Sequence, residues 1–245
     1  MPEGPSILLM KENLQEFVGQ KAVSVRGNAK TNIESLKGKK LQKIKTFGKQ
    51  TYLIFGKPVV RIHLLMFGSY SVNEQTKPDK SLRLEIVFEK GKLYFYSCSL
   101  KIVDEDFLKA IPWEADVLSD EWKPKKAKEK LKEIPETLAC DALLNQDVFA
   151  GVGNIIKNEV LFRIGVQPES EIGNLPDKKL NELIREARNY SFDFLKWKKE
   201  FVLKKHWLVH NKKFCPKCGE KLIRKHLGKT HRRSFYCEND QKLYQ

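Results

Sequence analysis

Six short segments between about Ala22 and Ser97 carry most of the chain's β-branched and aromatic residues: AVSVRG, KLQKIKTF, TYLIF, VVRIHLL, SLRLEIVFE and KLYFYS. Turn formers separate them, as at Gly56–Pro58 and Lys90–Gly91. Strands joined by turns this tight pair antiparallel, because a parallel neighbour needs a crossover of roughly a dozen residues. The pattern predicts a β-sandwich or barrel-like domain. A short helix precedes it: Ile7, Leu8, Leu14, Phe17 and Val18 share one helical face, and Ser6 is placed to cap its start.

The pattern changes after the strands. Residues 112–135 turn to Lys, Glu, Asp and Pro (SDEWKPKKAKEKLKEIP), which reads as a linker with a short solvated helix. Helices are then expected at 136–145, at Asn154–Phe162 behind the tight Gly151-Val152-Gly153, and from Pro176–Asp177 onward. In the last of these Leu180, Leu183, Ile184, Ala187, Tyr190 and Leu195 keep a 3.6-residue spacing. The expected organisation is an N-terminal β domain over 1–112, a linker over 113–135, a helical domain over 136–210 and a small terminal module over 211–245. No internal repeat is present.

Charge narrows the partner. The chain has 46 Lys and Arg against 31 Asp and Glu, a net +15. Residues 196–245 hold 15 of those cations and 4 acids, so +11 sits in the last fifth of the chain. Concentrated positive charge points to a polyanion, since each neutralised phosphate releases counterions. No apolar run approaches the roughly 18 residues of a membrane span; the best, Val59–Phe67, is broken by Arg61 and His63. The opening MPEGPS predicts no secretory leader.

Cys98 and Cys140 stand alone, while Cys215, Cys218 and Cys237 cluster, which is no disulfide framework and suggests a reducing compartment. Cys215-Pro-Lys-Cys218-Gly is a metal knuckle, two thiolates three apart with Gly219 allowing the reversal; Cys237 returns after eighteen intervening residues suited to a two-stranded ribbon. A closed zinc site needs four ligands. Asp240, three after Cys237, repeats the knuckle spacing, and His226 and His231 lie in the ribbon, so the fourth ligand stays open at this point. Gly151-Val152-Gly153-Asn154 at a helix start offers unpaired N–H groups to a phosphate, although a glycine turn before an Asn-led helix is also commonplace. Removal of Met1 would leave Pro2 as a free secondary amine able to attack a sugar carbon, with Glu3 beside it to move protons. Taken alone, a Pro-Glu start carries little weight.

Three motifs in register change that weight. MPEGP, then GVGN within LLNQDVFAGVGNIIKNEVLFRIGVQP, then CPKCG…RRSFYC follow one another as in the Fpg/Nei family of DNA glycosylases, which the chain resembles from its first residues to its last. The resemblance implies an α+β multidomain fold: an N-terminal antiparallel β-sandwich, a helix–two-turn–helix domain and a C-terminal zinc-finger β-hairpin. It implies a DNA glycosylase with AP lyase activity in base-excision repair, cutting by β,δ-elimination, acting as a monomer on damaged double-stranded DNA in the cytoplasm, at the nucleoid of a bacterium. Pro2 resembles the family's nucleophile and Glu3 its acid/base. Lys49, in TFGKQTYLIF, is similar to the lysine that contacts phosphate and assists elimination, and Met66, in HLLMFG, to the side chain that fills the gap left by an extruded base. Asn154 matches the phosphate-binding residue of the helix–two-turn–helix, and Arg232 the finger arginine that grips phosphates beside the lesion, with Arg233 next to it. Cys215, Cys218, Cys237 and Asp240 take the places of the zinc ligands, with one structural Zn2+ and no catalytic cofactor expected.

The chain departs from the family pattern in three places. Ser6 stands where family members carry Glu, and Asp240 where they carry the last Cys. The stretch FYSCSLKIVDEDFL lacks the Arg- and Phe-bearing loop of Fpg-type members and looks more like the endonuclease VIII (Nei) branch, which implies oxidised pyrimidines rather than 8-oxoguanine. The competing readings are an Fpg-type enzyme for 8-oxoguanine or formamidopyrimidine, a DNA-damage binder that keeps the fold without the chemistry, and a zinc-ribbon RNA-binding protein.

Overall fold

The computed structural model describes residues 2–245, which divide into two compact units, 2–111 and 112–245. In the first unit α1 (Gly4–Asn13) is followed by β1 (Ala22–Arg26), β2 (Lys43–Phe47), β3 (Gln50–Ile54), β4 (Val59–His63), β5 (Ser69–Val72), β6 (Leu82–Phe88), β7 (Gly91–Tyr96), β8 (Ser99–Val103) and the short α2 (Glu105–Lys109). Two four-stranded sheets form, in the orders β1-β6-β7-β5 and β2-β3-β4-β8. Every pairing in both is antiparallel. Apolar residues from both sheets, among them Leu53, Val60, Ile62, Leu84, Ile86, Leu93 and Phe95, make one core that Ile7 and Met10 of α1 join. This is the antiparallel sandwich.

Each of the six segments read as strands overlaps one of these strands, β3 and β7 starting one residue earlier than expected. β5 and β8 were not anticipated, for a physical reason: both are sheet edges whose residues are mostly half-buried, so their apolar alternation is weak. The helix start also differs. α1 begins at Gly4 with Glu3 at the capping position, Pro5 in the first turn and Ser6 inside the helix, because proline's fixed φ suits a first turn. Leu14 and Phe17, expected on the helix, lie just beyond it and are still fully buried.

The second unit contains α3 (Pro124–Lys132), α4 (Ala139–Leu144), α5 (Asn154–Arg163), α6 (Asp177–Lys199) and a hairpin of β9 (Ile223–Leu227) and β10 (Arg232–Tyr236). Residues 113–135 are a correction to the expected linker. Ala115, Val117, Ala127 and Leu131 are buried, the last three in the same core as Leu143, Val160, Leu183 and Tyr190. The lysines of α3 hid this, since only Ala127 and Leu131 of its nine residues are buried. The segment 211–245 likewise belongs to the same compact unit as the helices.

α5 breaks the usual amphipathic pattern. Lys157, Asn158 and Glu159 are as buried as Ile156, Val160 and Phe162, at 1% exposure or less. Helix α5 packs against both α6 and β10, so its polar residues face protein on every side. Each must therefore find a partner there. No helix is long and apolar enough to cross a membrane.

Candidate functional site

The residues singled out above fall into two groups, one in each unit. In the first, Pro2 is half-buried and Glu3 is fully buried. Glu3 caps α1, its carbonyl accepting from the Ser6 and Ile7 amides at 2.8 and 3.3 Å. A carboxylate here sits at the positive end of the helix dipole. Met1, whose removal the nucleophile reading needs, lies outside the described residues. α1 packs on β2 and β3, the two strands that Lys49 joins. The β2–β3 connection is the two-residue turn Gly48-Lys49, with Gly48 at φ +56° as such hairpins require at the first position. Gln50 pairs with His63 across β3 and β4. Burial first, and then the charges of Lys49 and Arg61, push the His63 imidazole below its ordinary pKa.

Met66 lies in a turn between β4 and β5, not in a strand. Leu65, Met66 and Phe67 are 48%, 51% and 80% exposed, three large apolar side chains in succession facing solvent. Leu65 adopts φ +55°, and its amide donates to His63 Nδ1 at 3.0 Å. A Cβ on Gly68 would meet the Leu64 carbonyl oxygen at 2.1 Å, so only glycine closes this turn. The apolar triad and His63 were not visible in spacing: HLLMFG reads as a strand end until the turn is seen.

In the second unit Asn154 is the first residue of α5, and its Nδ2 donates to the Arg233 carbonyl at 3.0 Å. The expected phosphate donor is therefore engaged with the hairpin backbone, while its Oδ1 is buried without a hydrogen-bond partner. The same carbonyl receives Lys157 Nζ and Asn158 Nδ2, each at 3.3 Å. Lys157 also donates to Ser234 Oγ at 2.8 Å, and Asn158 Oδ1 accepts from the Phe235 amide at 3.1 Å. Glu159 accepts from three successive amides, Leu208, Val209 and His210, at 2.8 to 3.0 Å. Burial raises the Glu159 carboxyl against those three hydrogen bonds, which lower it. Arg232, exposed, opens β10 opposite Leu227, and Arg233 beside it is half-buried.

The hairpin is moored at its tip as well. Asp141 of α4, 9% exposed, accepts from the Lys229 amide at 2.7 Å, the Thr230 amide at 3.1 Å and the Thr230 hydroxyl at 2.8 Å. A Cβ on Gly228 would strike this carboxylate at 2.2 Å. Asp141 had no motif to mark it; CDALL reads as the start of an ordinary helix.

Cys215, Cys218, Cys237 and Asp240 present their ligand atoms within 4.8 Å of one another. The Cys218 and Cys237 sulfurs are 3.5 Å apart, and the Cys215 sulfur lies 2.9 Å from Asp240 Oδ2. Sulfurs held at about 2.3 Å by one tetrahedral zinc would stand roughly 3.8 Å apart, so the donor set fits such an ion. His226 and His231 are not in this group. They sit near the hairpin's turn, His226 Nδ1 at 2.8 Å from the His231 carbonyl, while Cys237 follows the far end of β10. Burial pushes the Cys237 thiol up to about 12, and a bound cation would reverse that by favouring thiolate. The four residues can hold a metal ion.

Two outcomes test this framework. Asp141→Ala takes the charged acceptor away from two amides and a hydroxyl of the exposed turn, an expected loss of about 1–3 kcal/mol for hydrogen bonds to a charged group. Amide exchange at Lys229 and Thr230 should accelerate while exchange in α6 does not. The second concerns His210, 8% exposed, whose Nδ1 faces Asn158 Nδ2 at 3.2 Å. Burial, and then the Lys157 ammonium, bring its pKa from 6.5 down to about 4. The folded value lies below the unfolded one, so the unfolded chain takes up the proton first as pH falls. Stability is whole above about 6.5 and is lost progressively down to about 4, by a few kcal/mol at most. All four tryptophans lie in the second unit, so urea midpoints followed by their fluorescence should fall between about pH 7 and 5, and His210→Phe should flatten that fall.

Comparison with known proteins bears on the whole chain. Residues 1–100 match the formamidopyrimidine-DNA glycosylase N-terminal domain, and residues 114–191 the formamidopyrimidine-DNA glycosylase H2TH domain. The chain is 30% identical over 244 residues to endonuclease 8-like 3 of Xenopus laevis, covering 94% of this chain and 40% of that protein. It thus spans about two fifths of that relative's length. It is 28% identical over 185 residues to the DNA-(apurinic or apyrimidinic site) lyase Nei2 of Mycolicibacterium smegmatis, covering 72% of each. In fold it is similar to Lactococcus lactis formamidopyrimidine-DNA glycosylase non-covalently bound to DNA containing an AP site, with a TM-score of 0.85, 23% identity and coverage of 98% and 99%. With both of the family's domains matched in order and endonuclease 8-like proteins among its relatives, the chain belongs to the formamidopyrimidine-DNA glycosylase (Fpg/Nei) family, on its Nei-like side.

Proposed function

We propose that this chain is a bifunctional DNA glycosylase and AP lyase of base-excision repair, acting on damaged double-stranded DNA. The observation that carries the reading is a carboxylate, Glu3, buried to 0% exposure directly behind the half-buried Pro2 at the head of α1. A buried ionisable group next to an N-terminal secondary amine, besides capping α1, suits acid/base work. Phosphate contacts hold the duplex without reading its sequence, and the damaged nucleotide turns out of the stack, where unstacking costs least. The Pro2 nitrogen attacks C1′, the C1′–N bond to the base breaks, and the base leaves with that electron pair and takes up the proton that the Pro2 nitrogen gives up. Glu3 protonates the sugar ring oxygen, C1′–O4′ opens, and an iminium to Pro2 remains. Loss of the C2′ proton then expels the 3′ phosphate, and a second elimination expels the 5′ phosphate. Lys49 and Arg232 hold those phosphates, and Met66, exposed on its turn, fills the space of the extruded base. An α-amine with an ordinary pKa near 8 is partly neutral at physiological pH, as the attack requires.

Lesion class follows from the stretch 95–108. The stretch lacks the Arg- and Phe-bearing sequence expected of Fpg-type members, and its residues 99–103 form the edge strand β8, paired to β4 from Val59↔Val103 to His63↔Ser99. That supports oxidised pyrimidines over 8-oxoguanine. Borohydride trapping on duplexes carrying an abasic site, thymine glycol, 5-hydroxyuracil or 8-oxoguanine tests the whole reading. A covalent adduct is expected with the chain and none with Pro2→Gly, at undiminished DNA affinity, and the pyrimidine lesions should trap faster than 8-oxoguanine. An adduct that survives Pro2→Gly would overturn the nucleophile; tight binding with no adduct at an abasic site would leave a non-catalytic damage binder.

The metal in the finger is proposed to be zinc, held by Cys215, Cys218, Cys237 and Asp240. Three thiolates and a carboxylate in a closed set suit a structural rather than a catalytic ion. Elemental analysis should find about one zinc per chain, and Cys237→Ser should lose most of it along with the order of residues 211–245. Full zinc retention in that variant would remove Cys237 from the ligand set.

A further inference from the structure

A groove of about 560 Å3 runs between α3 and α6. Its α6 wall extends from Asn181 to Asn189, two turns or about 12 Å of helix. The floor is apolar: Ile184 is 4% exposed, and the half-buried Trp122 tilts against Phe149 with ring centroids 6.1 Å apart. The rim is cationic. Lys125, Lys128, Arg185 and Arg188 line it, and among the described residues no acidic side chain does. Lys128 has an ion pair with Asp177 at 3.2 Å, but that carboxylate is 72% exposed, so water screens the pair strongly. Arg188 is held in place, its Nη1 donating to the Val117 and Ser119 carbonyls at 2.8 and 2.9 Å. No residue of α5, of the hairpin or of the metal cluster lines the groove.

An occupant of this hollow must bring an apolar group and negative charge together. Duplex DNA brings the charge alone, since its phosphates lie on the outside and its bases are stacked within. An acidic peptide brings both: one bulky side chain for the Trp122–Ile184 floor, and flanking carboxylates for the guanidinium forks of Arg185 and Arg188. We infer that the α3–α6 groove is a docking site for an acidic segment of a partner protein, anchored by a single large apolar side chain. This site is separate from every residue assigned to the DNA chemistry above.

The probe is a fluorescein-labelled Asp/Glu-rich peptide with one central Leu, titrated with the full chain at low salt and followed by anisotropy. Binding is expected. It should weaken about tenfold or more, or 1.4 kcal/mol, when Leu becomes Ala in the peptide, and by a similar factor in the double variant Lys125→Glu/Arg185→Glu. Both substituted residues are exposed, so the variant should unfold at the wild-type urea midpoint. A saturating abasic duplex should leave the peptide bound. Absence of binding, or binding indifferent to the central Leu or to the double variant, would overturn the proposal in favour of unspecific charge attraction. Displacement of the peptide by single-stranded DNA, with a DNA affinity that itself falls in the double variant, would overturn it in favour of a nucleic-acid site.

Discussion

A buried carboxylate organises the second unit. Glu159 is inaccessible to solvent and takes three consecutive backbone amides from residues 208–210, the segment that leads from the helices into the hairpin. On the same helix, Lys157, Asn158 and Asn154 converge on the carbonyl of Arg233. An isolated ion in such a place would be prohibitive, and it is tolerated because every donor around it is fixed backbone or a matched side chain. The hairpin thus hangs on α5 by main-chain atoms. Arg232 at the start of β10 is left exposed while Ser234, Phe235 and Tyr236 are buried, and the small apolar cluster of Phe162, Val209, Leu222 and Phe235 fills the space behind the hairpin. The metal ligands join at the hairpin's other end, where Cys215 and Cys237 are part of that cluster.

Much of this architecture was legible, and the unread parts share a cause. Alternation and turn residues marked six strands because β3, β4, β6 and β7 are mostly buried and Ala22, Val25 and Ile44 anchor β1 and β2 in the core, whereas the edge strands Ser69–Val72 and Ser99–Val103 bury no residue fully and alternate weakly. The helix at 124–132 passed for linker because seven of its nine residues are not buried. The spacing of Cys215, Cys218 and Cys237 was enough to bring out a metal knuckle, and geometry then set Asp240 with them and the two histidines apart. Polar residues facing inward were out of reach. Periodicity treats Lys157, Asn158, Glu159 and Asp141 as solvated positions, and only the fold reveals that each meets backbone of a segment more than forty residues away in sequence.

Charge is distributed unevenly. The end of α6, the hairpin and its approach (196–245) carry +11, residues 1–111 carry +8 from 19 Lys and Arg against 11 Asp and Glu, and residues 112–195 are net acidic at −4. The +11 segment supplies long-range pull that salt weakens, and the contacts around Pro2 and Glu3 act only over bonding distances.

The tip of the hairpin carries a consequence for how this protein can vary. Asp141 leaves no space for any side chain at position 228, where the backbone sits at φ +66°, so glycine there is required twice over, by backbone angle and by the carboxylate above it. The two positions, 87 residues apart, form a single evolutionary unit. A lineage that lost the acid would be released from one of the two constraints on its glycine, and one that lost the glycine would have to shorten or remove the acid and find another way to hold the turn. Related chains should therefore change at 141 and 228 together, a pairwise signal that would trace the mooring of the hairpin through the family independently of the residues proposed for the chemistry.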